Sequence, residues 1–299
     1  MRSLLQARRN LIQSVAREIL SGTVPSMKQK PVGYSRRNLL NQDAHAIEER
    51  IVKSDERVRD LGEVFTPEAT VQEMLDLLPA PMWAVHPSPT FLEPACGDGN
   101  FLIRILSRKL EEVAALYNRR KLPAGTSEEA AQFHALEALA SIYAVDISVE
   151  NIVGGTTGHE IGARTRLLNT FTTWNSVTLK KQLTERSLAL RAAQWIVGHN
   201  LVIGNMLRLD FAGKPTGRNA IPIIEYTFEP KTLSVNLYKT TLGDVLDAAE
   251  AKTTAELKLF GPTEPEILWN GNVFKLADAE RVEAPKLKGP ARNGTGVRQ

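Results

Sequence analysis

Residues 91–101 read Phe-Leu-Glu-Pro-Ala-Cys-Gly-Asp-Gly-Asn-Phe, and they carry the strongest structural signal in the chain. A short apolar run precedes it, and apolar residues at helical spacing follow it: Leu102, Ile103, Ile105, Leu106 and Leu110. The pattern therefore predicts a strand, a glycine loop and an amphipathic helix. Gly97 and Gly99 can adopt positive φ and lack a Cβ, so a ligand could approach the loop backbone closely. This arrangement is typical of a cofactor-binding loop, although an ordinary strand-to-helix turn that contains two glycines is the alternative.

The string that begins at Glu93 resembles motif I of a known enzyme family. That motif, usually Asp-Pro-Ala-Cys-Gly-x-Gly-x-Phe, is the S-adenosyl-L-methionine loop of adenine-N6 DNA methyltransferases, which include the modification subunits of restriction-modification systems. Glu93 replaces the usual Asp with another acid. The resemblance implies a Rossmann-like α/β methyltransferase fold. It also implies that the cofactor is contacted by Glu93, Ala95, Cys96, Gly97, Gly99, Asn100 and Phe101.

Two further stretches are similar to the same family, in the expected order. Residues 62–67, Gly-Glu-Val-Phe-Thr-Pro, resemble motif X, which packs over the methionine end of the cofactor. Residues 142–147, Ile-Tyr-Ala-Val-Asp-Ile, resemble motif II, a buried strand that ends in an acid. A carboxylate there could accept both hydroxyl hydrogens of a ribose, whereas a lone acid after a strand is more often a helix cap. The resemblance thus adds to the cofactor contacts Phe65, Thr66, Pro67, Asp146 and Ile147.

The catalytic element of this family does not occur in the 299 residues. These enzymes carry Asn/Asp-Pro-Pro-Tyr/Phe/Trp after the fourth strand. An amide and a proline carbonyl there accept the hydrogens of the adenine amine, and an aromatic ring stacks on the extruded base. The closest stretch is 201–207, Leu-Val-Ile-Gly-Asn-Met-Leu.

Two registers are open for this stretch. Asn205 is the catalytic amide after the fourth strand, or Gly204 and Asn205 correspond to motif III on the third strand, beside the adenine of the cofactor. In the second register the catalytic segment is missing. We favour the second register because only one strand-and-helix unit is predicted between Asp146 and Asn205.

The composition is that of a soluble enzyme domain, with 42% hydrophobic and 24% charged residues. The single cysteine, Cys96, excludes an internal disulfide, and we expect it to pack rather than to act as a nucleophile. The five histidines show no metal-ligand spacing, so we expect no metal. No apolar run approaches the roughly 18 residues of a membrane span, and the start lacks a signal-peptide core. We therefore expect a cytoplasmic protein without a membrane partner.

Charge is concentrated at the start of the chain. Residues 1–45 hold eight Lys or Arg and two Asp or Glu, a net charge of +6, which leaves −3 in the remainder. A basic arm on a nearly neutral body suits the capture of a polyanion, while a solvated face with a flexible arm is the alternative. The family resemblance favours duplex DNA as the partner.

The patterning predicts three regions. They are a basic helical N-terminal extension at 1–58, a methyltransferase-like cofactor-binding domain at 59–260, and a partly disordered C-terminal tail at 261–299. The extension has helices at 1–22 and 44–58 around an extended linker. The middle region has helices at 100–120, 127–140 and 178–195, a loose glycine turn at 154–158, and strands alternating with helices as in a parallel sheet.

A hairpin is predicted at 221–239, followed by a helix at 241–259. Its Tyr226 and Phe228 could stack on a base, although cross-strand packing is the commoner role for such aromatics. About 95 residues follow Asn205, which leaves little space for a target-recognition domain. DNA sequence specificity would then come from the basic N-terminal region or from a partner such as a specificity subunit.

The resemblance implies an S-adenosylmethionine-dependent DNA methyltransferase acting on adenine N6. Direct in-line attack on the sulfonium methyl needs little acid–base help, because positioning dominates. The alternative is a catalytically silent methyltransferase-like protein that binds S-adenosylmethionine or DNA and acts as a partner or decoy. Methylation of RNA or of another amine stays open, because motifs X to III describe only the cofactor half.

Overall fold

The computed structural model describes residues 66–155, 161–207, 210–211, 221–243, 245 and 267–282. The predicted N-terminal extension, Phe65, the boundaries at residues 58 and 260, and the last part of the tail lie outside these residues. The helices are α1 (Glu68–Asp76), α2 (Asn100–Asn118), α3 (Glu128–Ala140), α4 (Val149–Ile152), α5 (Ala163–Thr178) and α6 (Leu188–Asn200). The strands are β1 (Phe91–Glu93), β2 (Ile142–Asp146), β3 (Leu201–Asn205), β4 (Asp210–Phe211), β5 (Pro222–Glu229), β6 (Ser234–Thr241) and β7 (Ile267–Asn272). Two 3-10 helices cover Ala80–Trp83 and Val273–Val282.

The first three strands form a parallel sheet with β2 in the middle, which confirms the predicted mixed α/β class. Leu92 of β1 pairs with Tyr143, and Val145 of β2 pairs with Val202. The short β4 adds to β3 in the antiparallel direction. All five residues of β2 are buried, and this explains its apolar sequence. Because β1, β2 and β3 run in parallel, their carboxyl ends meet at one edge of the sheet.

The two helices that flank the middle of the sheet follow their sequence signals. The buried face of α2 has helical spacing and consists of Leu102, Ile105, Leu106, Lys109, Leu110 and Val113. The hydroxyl of Ser127 accepts a hydrogen bond from the backbone N–H of Ala130 and so caps α3. The predicted helices 100–120 and 127–140 are confirmed within two residues at their ends.

The predicted helix 178–195 is confirmed over residues 188–195, which belong to α6, and is wrong before them. Helix α5 ends at Thr178, Lys180 has a φ of +55°, and α6 begins only at Leu188. The intervening residues form a polar turn, in which the hydroxyl of Ser187 accepts a hydrogen bond from the N–H of Thr184. A side chain that bonds the backbone in this way competes with helical hydrogen bonding. The apolar spacing on either side of the turn hid this interruption.

The predicted hairpin is confirmed as β5 and β6, and β7 extends it to a three-stranded antiparallel sheet. Strand β7 and the 3-10 helix after it belong to the stretch predicted as a tail. They are held by buried side chains such as Val273 and Leu276. Tyr226 and Phe228 are both 5% exposed as residues, and the ring of Phe228 packs edge-on against that of Phe133 at a centroid distance of 5.4 Å. Packing is therefore the role of these aromatics.

Hydrogen bonds of buried groups join the antiparallel sheet to the parallel one. The hydroxyl of Tyr143 in β2 donates to the carbonyl of Ile224 at 2.6 Å. The hydroxyl of Tyr226 donates to Asn200 Oδ1 at 2.8 Å, and the amide of Asn200 donates to the carbonyls of Ala140 and Ile142. In the described part of the chain, no helix is both long and apolar enough to cross a membrane.

Candidate functional site

The glycine loop closes against the end of the neighbouring strand. Gly97 and Gly99 have φ values of +53° and +97°, the left-handed region that glycine tolerates. The backbone N–H of Cys96 donates to the carbonyl of Val145 at 3.2 Å. The N–H of Gly97 donates to Asp146 Oδ2 at 2.8 Å. The loop and the acid that the sequence assigned to one cofactor site are therefore in direct contact.

Asp146 is a buried carboxylate with three donors of its own chain. Besides the Gly97 N–H, Asp146 Oδ1 accepts from the N–H of Ser148 at 2.8 Å and from the amide of Asn151 at 3.2 Å. A carboxylate offers about four lone-pair sites, so about one remains for a ligand hydroxyl. Asp146 can thus accept one ribose hydroxyl hydrogen with its own bonds intact, and acceptance of both would displace one of them.

Glu93 lies at the end of β1, beside Asp146. Its Oε1 accepts one hydrogen bond, from the N–H of Ala95 at 3.3 Å. Burial raises the pKa of Glu93, the bond from Ala95 partly offsets this, and the negative charge of Asp146 raises it further. The ends of two adjacent parallel strands therefore present a pair of acceptors, which suits ligand groups that donate hydrogen bonds.

Cys96 is buried, and its thiol donates a weak hydrogen bond to the carbonyl of Gly97. Burial, followed by the charges of Asp146 and Glu93, raises the pKa of this thiol far above its usual range. A thiol that stays protonated is a poor nucleophile. Cys96 therefore packs the loop, in line with the expectation from sequence.

The end of the stretch that resembles motif X reaches the same loop. The amide nitrogen of Asn100, at the start of α2, donates to the carbonyl of Thr66 at 3.2 Å. Pro67 follows as the cap of α1. Phe101 packs against the core, and Ile147, directly after Asp146, is 56% exposed. The structure thus brings Thr66, Asn100 and the loop together and leaves an apolar side chain exposed beside the acid.

Asn205 lies at the carboxyl end of β3, on the far side of β2 from the glycine loop. Its Oδ1 accepts a hydrogen bond from the N–H of Leu207 at 3.0 Å, so the side chain shapes the turn after the strand. Ile203 of β3 pairs with Asp146, which places β3 directly beside the acid-bearing strand. The two registers that the sequence left open differ in the strand expected beside β3. A third strand lies beside the second strand, whereas a fourth strand lies beside the first.

The first turn of α5 also supports the loop, and sequence reasoning missed it. Arg166 donates from Nη1 to the carbonyl of Asp98 at 3.0 Å and from Nη2 to Asn100 Oδ1 at 2.9 Å. A Cβ added to Gly99 would lie 3.1 Å from the Cβ of Ala163. Arg166 and Asp98 are 68 positions apart, so no local pattern could have connected them.

Two of the histidines, which the sequence showed without metal-ligand spacing, converge elsewhere. Ligand atoms of His86, His134 and Glu137 lie within 4.8 Å of one another. The N–H of Ala124 donates to His134 Nε2, so Nδ1 carries the hydrogen that bonds Glu137 Oε2 at 3.2 Å. Glu137 Oε1 also accepts from the N–H of Ser88. A metal on His134 Nδ1 would force a proton onto Nε2, against the Ala124 N–H, so the geometry favours a buried hydrogen-bond network.

A groove of about 530 Å³ lies between α2 and α5. Leu110 and Ala114 line one wall, and Thr173, Trp174 and Val177 line the other. None of the residues assigned to the cofactor site lines this groove. The candidate site is instead the edge of the parallel sheet at the glycine loop, because the acceptors and the positive-φ glycines lie there.

No protein-family model, curated protein or solved structure matches this chain.

Proposed function

We propose that this chain is an S-adenosylmethionine-dependent methyltransferase domain of the Rossmann-like class. One observation carries the proposal. The loop that resembles motif I closes, through the Gly97 N–H, on the acid that resembles motif II, at the carboxyl edge of a parallel sheet. In doubly wound α/β folds, ligands bind at that edge.

The strand order adds support. A doubly wound sheet has the order 3-2-1-4-5-6, so its third strand lies beside the second and its fourth beside the first. Strand β3 pairs with β2, which is the position of a third strand. This favours the register in which Asn205 corresponds to motif III and lies beside the cofactor, over the register in which it is the catalytic amide.

The residues present suit S-adenosylmethionine. The loop has no Cβ at Gly97 or Gly99, so its backbone admits close approach, and Asp146 retains room for about one hydroxyl donor. The exposed side chain of Ile147 can cover an apolar ring face. When bound, the cofactor supplies an electrophilic methyl group. The residues of this chain would hold and orient it for attack by the exocyclic amine of adenine in duplex DNA.

The substrate and the macromolecular partner rest on the motif resemblance and on the basic residues at 1–45. Neutralised phosphates would release counterions, so this segment would contribute salt-dependent affinity for DNA. Sequence specificity would come from it or from a specificity subunit. The second candidate function, a silent cofactor- or DNA-binding partner, is favoured by the third-strand position of Asn205 together with the missing catalytic tetrapeptide.

The test combines calorimetric titration of S-adenosylmethionine with transfer of labelled methyl to unmethylated duplex DNA. We expect cofactor binding by the full chain, loss of binding in Asp146→Ala, and weaker binding in Asn205→Ala, because Asn205 in the favoured register lies beside the adenine of the cofactor. Label in adenine would support the enzyme. Loss of turnover in Asn205→Ala with intact binding would restore the catalytic register. Binding without transfer to DNA or RNA would favour the silent partner, and a chain that binds no cofactor would refute the proposal.

A further inference from the structure

The glycine loop is held from the side by α5, in addition to its attachment to the sheet. Ala163 and Arg166 are three positions apart, so they share one face of the helix. That face meets the loop at Gly99, where an added Cβ would crowd Ala163. The positive φ of Gly99 turns the chain against this face. The loop therefore lies between the end of β2 and the first turn of α5.

Arg166 bridges the two sides of Gly99. Its Nη1 donates to the Asp98 carbonyl and lies 2.9 Å from Asp98 Oδ1, an ion-pair contact without hydrogen-bond geometry. Its Nη2 donates to Asn100 Oδ1. A guanidinium can reach both acceptors because its donors form a rigid planar fork, whereas an ammonium is a point charge. One side chain thus fixes the residues before and after the positive-φ glycine.

Asn100 connects Arg166 to the segment that resembles motif X. Its Oδ1 accepts from Arg166, and its Nδ2 donates to the carbonyl of Thr66. The two bonds are consistent only with this orientation of the amide, because the oxygen must face the guanidinium. Arg166, Asn100 and Thr66 therefore form a continuous series of contacts from α5 across the loop to the segment before α1.

The start of helix α5, which carries Arg166, is itself held in place by contacts with two neighbouring segments. A Cβ on Gly162 would lie 2.4 Å from the backbone nitrogen of Gly154, so the helix start is pressed against the chain after α4. Arg164 donates to the carbonyls of Gly198 and Leu201 at 2.9 and 2.6 Å. The first turn of α5 is therefore attached to α4 on one side and to the junction of α6 and β3 on the other.

We propose that Arg166 is a positioning residue for cofactor binding. Through Asp98 and Asn100 it holds the loop in the conformation that admits the cofactor and keeps the Thr66 segment against it. This inference rests on the proposed function. If Arg166 were purely structural, its substitution would lower the stability of the fold, and cofactor affinity would fall only as far as the loss of folded protein explains. If Arg166 is a positioning residue, its substitution lowers cofactor affinity by more than that.

The test compares Arg166→Lys with Arg191→Lys in the full chain. Both variants keep a positive charge, and only the first loses contacts to the loop, because Arg191 lies on α6 and forms an ion pair with Asp278 at 4.0 Å. Calorimetric titration with S-adenosylmethionine should show about tenfold weaker binding for Arg166→Lys, and affinity within about twofold of wild type for Arg191→Lys. Thermal unfolding of both variants separates affinity from stability.

A second variant, Asn100→Asp, keeps an acceptor for Arg166 but loses the donor to Thr66. We expect it to weaken cofactor binding as well. The double variant should bind about as weakly as the weaker single variant, because both changes interrupt the same series of contacts. If Arg166→Lys fails to fold, Arg166→Gln, whose amide can still donate to one of the two acceptors, is measured in its place.

The outcomes separate the two proposals. If the wild-type chain binds the cofactor and Arg166→Lys binds it within twofold, the positioning role is overturned and the proposed function stands. Unchanged affinity in a folded Asn100→Asp, or additive losses in the double variant, would also overturn the role. A wild-type chain that binds no S-adenosylmethionine overturns both.

Discussion

Two neighbouring carboxylates at the candidate site differ in how their charge is stabilised. Asp146 accepts three hydrogen bonds from its own chain, while Glu93 accepts one, from Ala95. Hydrogen bonds to a carboxylate favour its charged form, and burial opposes it. Burial dominates at Glu93 and raises its pKa. The carboxylate of Glu93 at the end of β1 is therefore partly desolvated, and a hydrogen-bond donor of a ligand would stabilise its negative charge.

This charge should be visible in the pH dependence of stability. Because the pKa of Glu93 is raised on folding, the folded state binds its proton more tightly than the unfolded state, and stability falls as pH rises from about 4.5 through the raised pKa. Glu93→Gln keeps the acceptor for the Ala95 N–H and carries no charge. We expect it to unfold at higher urea concentration than wild type at pH 7, with the difference shrinking toward pH 4.

The matched control is Glu112→Gln, because Glu112 is an exposed residue of α2. Its urea midpoint should differ from wild type by a small amount that does not follow the same pH course. Parallel pH profiles of wild type and Glu93→Gln would show that the charge of Glu93 carries no folding penalty.

Among the elements, α5 packs most tightly at its start, where it meets the chain that follows α4. Its first turn depends on a glycine for space rather than for φ, since a Cβ on Gly162 would lie 2.4 Å from the backbone of both Val153 and Gly154. Backbone atoms cannot move aside as a flexible side chain can. By contrast, a Cβ on Gly198 in α6 would meet nothing within 4 Å.

These two glycines give a matched pair of substitutions. Gly162→Ala should destabilise the protein by about 1–3 kcal/mol through overpacking. Gly198→Ala should stabilise it by roughly 0.5–1 kcal/mol, because alanine restricts the unfolded chain in an otherwise unhindered helix. Urea unfolding of both variants measures the difference. A neutral Gly162→Ala would mean that the start of α5 moves away easily, and would weaken its role as a support for the loop.

The sequence predicted the elements that are defined by neighbouring residues. The loop with Gly97 and Gly99, the start of α3 and the acid at the end of β2 were all recognisable because their signals lie within a few residues. Arg166 was not recognisable, since it reaches the loop across 68 positions, and His86 meets Glu137 across 51. Such contacts depend on how the elements pack. The same reason explains β7, whose sequence Ile-Leu-Trp-Asn-Gly-Asn lacks the alternation of a strand and pairs along β6.

For the molecule as a whole, a buried amide takes part in connecting the two sheets, in addition to the hydrogen bond from Tyr143 to Ile224. Asn200 donates to Ala140 and Ile142 on the side of the parallel sheet and accepts from Tyr226 of the antiparallel sheet. Both ends of the amide are thus used, and it is 3% exposed. Because buried polar groups are costly when unpaired, this contact favours one arrangement of the two sheets.

Tyr226→Phe tests this connection. It removes the hydroxyl that Asn200 Oδ1 accepts from, so we expect a loss of about 1–3 kcal/mol in the free energy of unfolding at pH 7. Burial holds the pKa of Tyr226 well above 10. Wild-type stability should therefore fall as pH rises above 10 by a route that phenylalanine lacks, and the gap between the variants should narrow. Tyr117→Phe, on α2, is the control.

Since the two sheets share this contact, circular dichroism and tryptophan fluorescence should report one transition in both variants. Separate transitions in Tyr226→Phe would show that the antiparallel sheet folds independently.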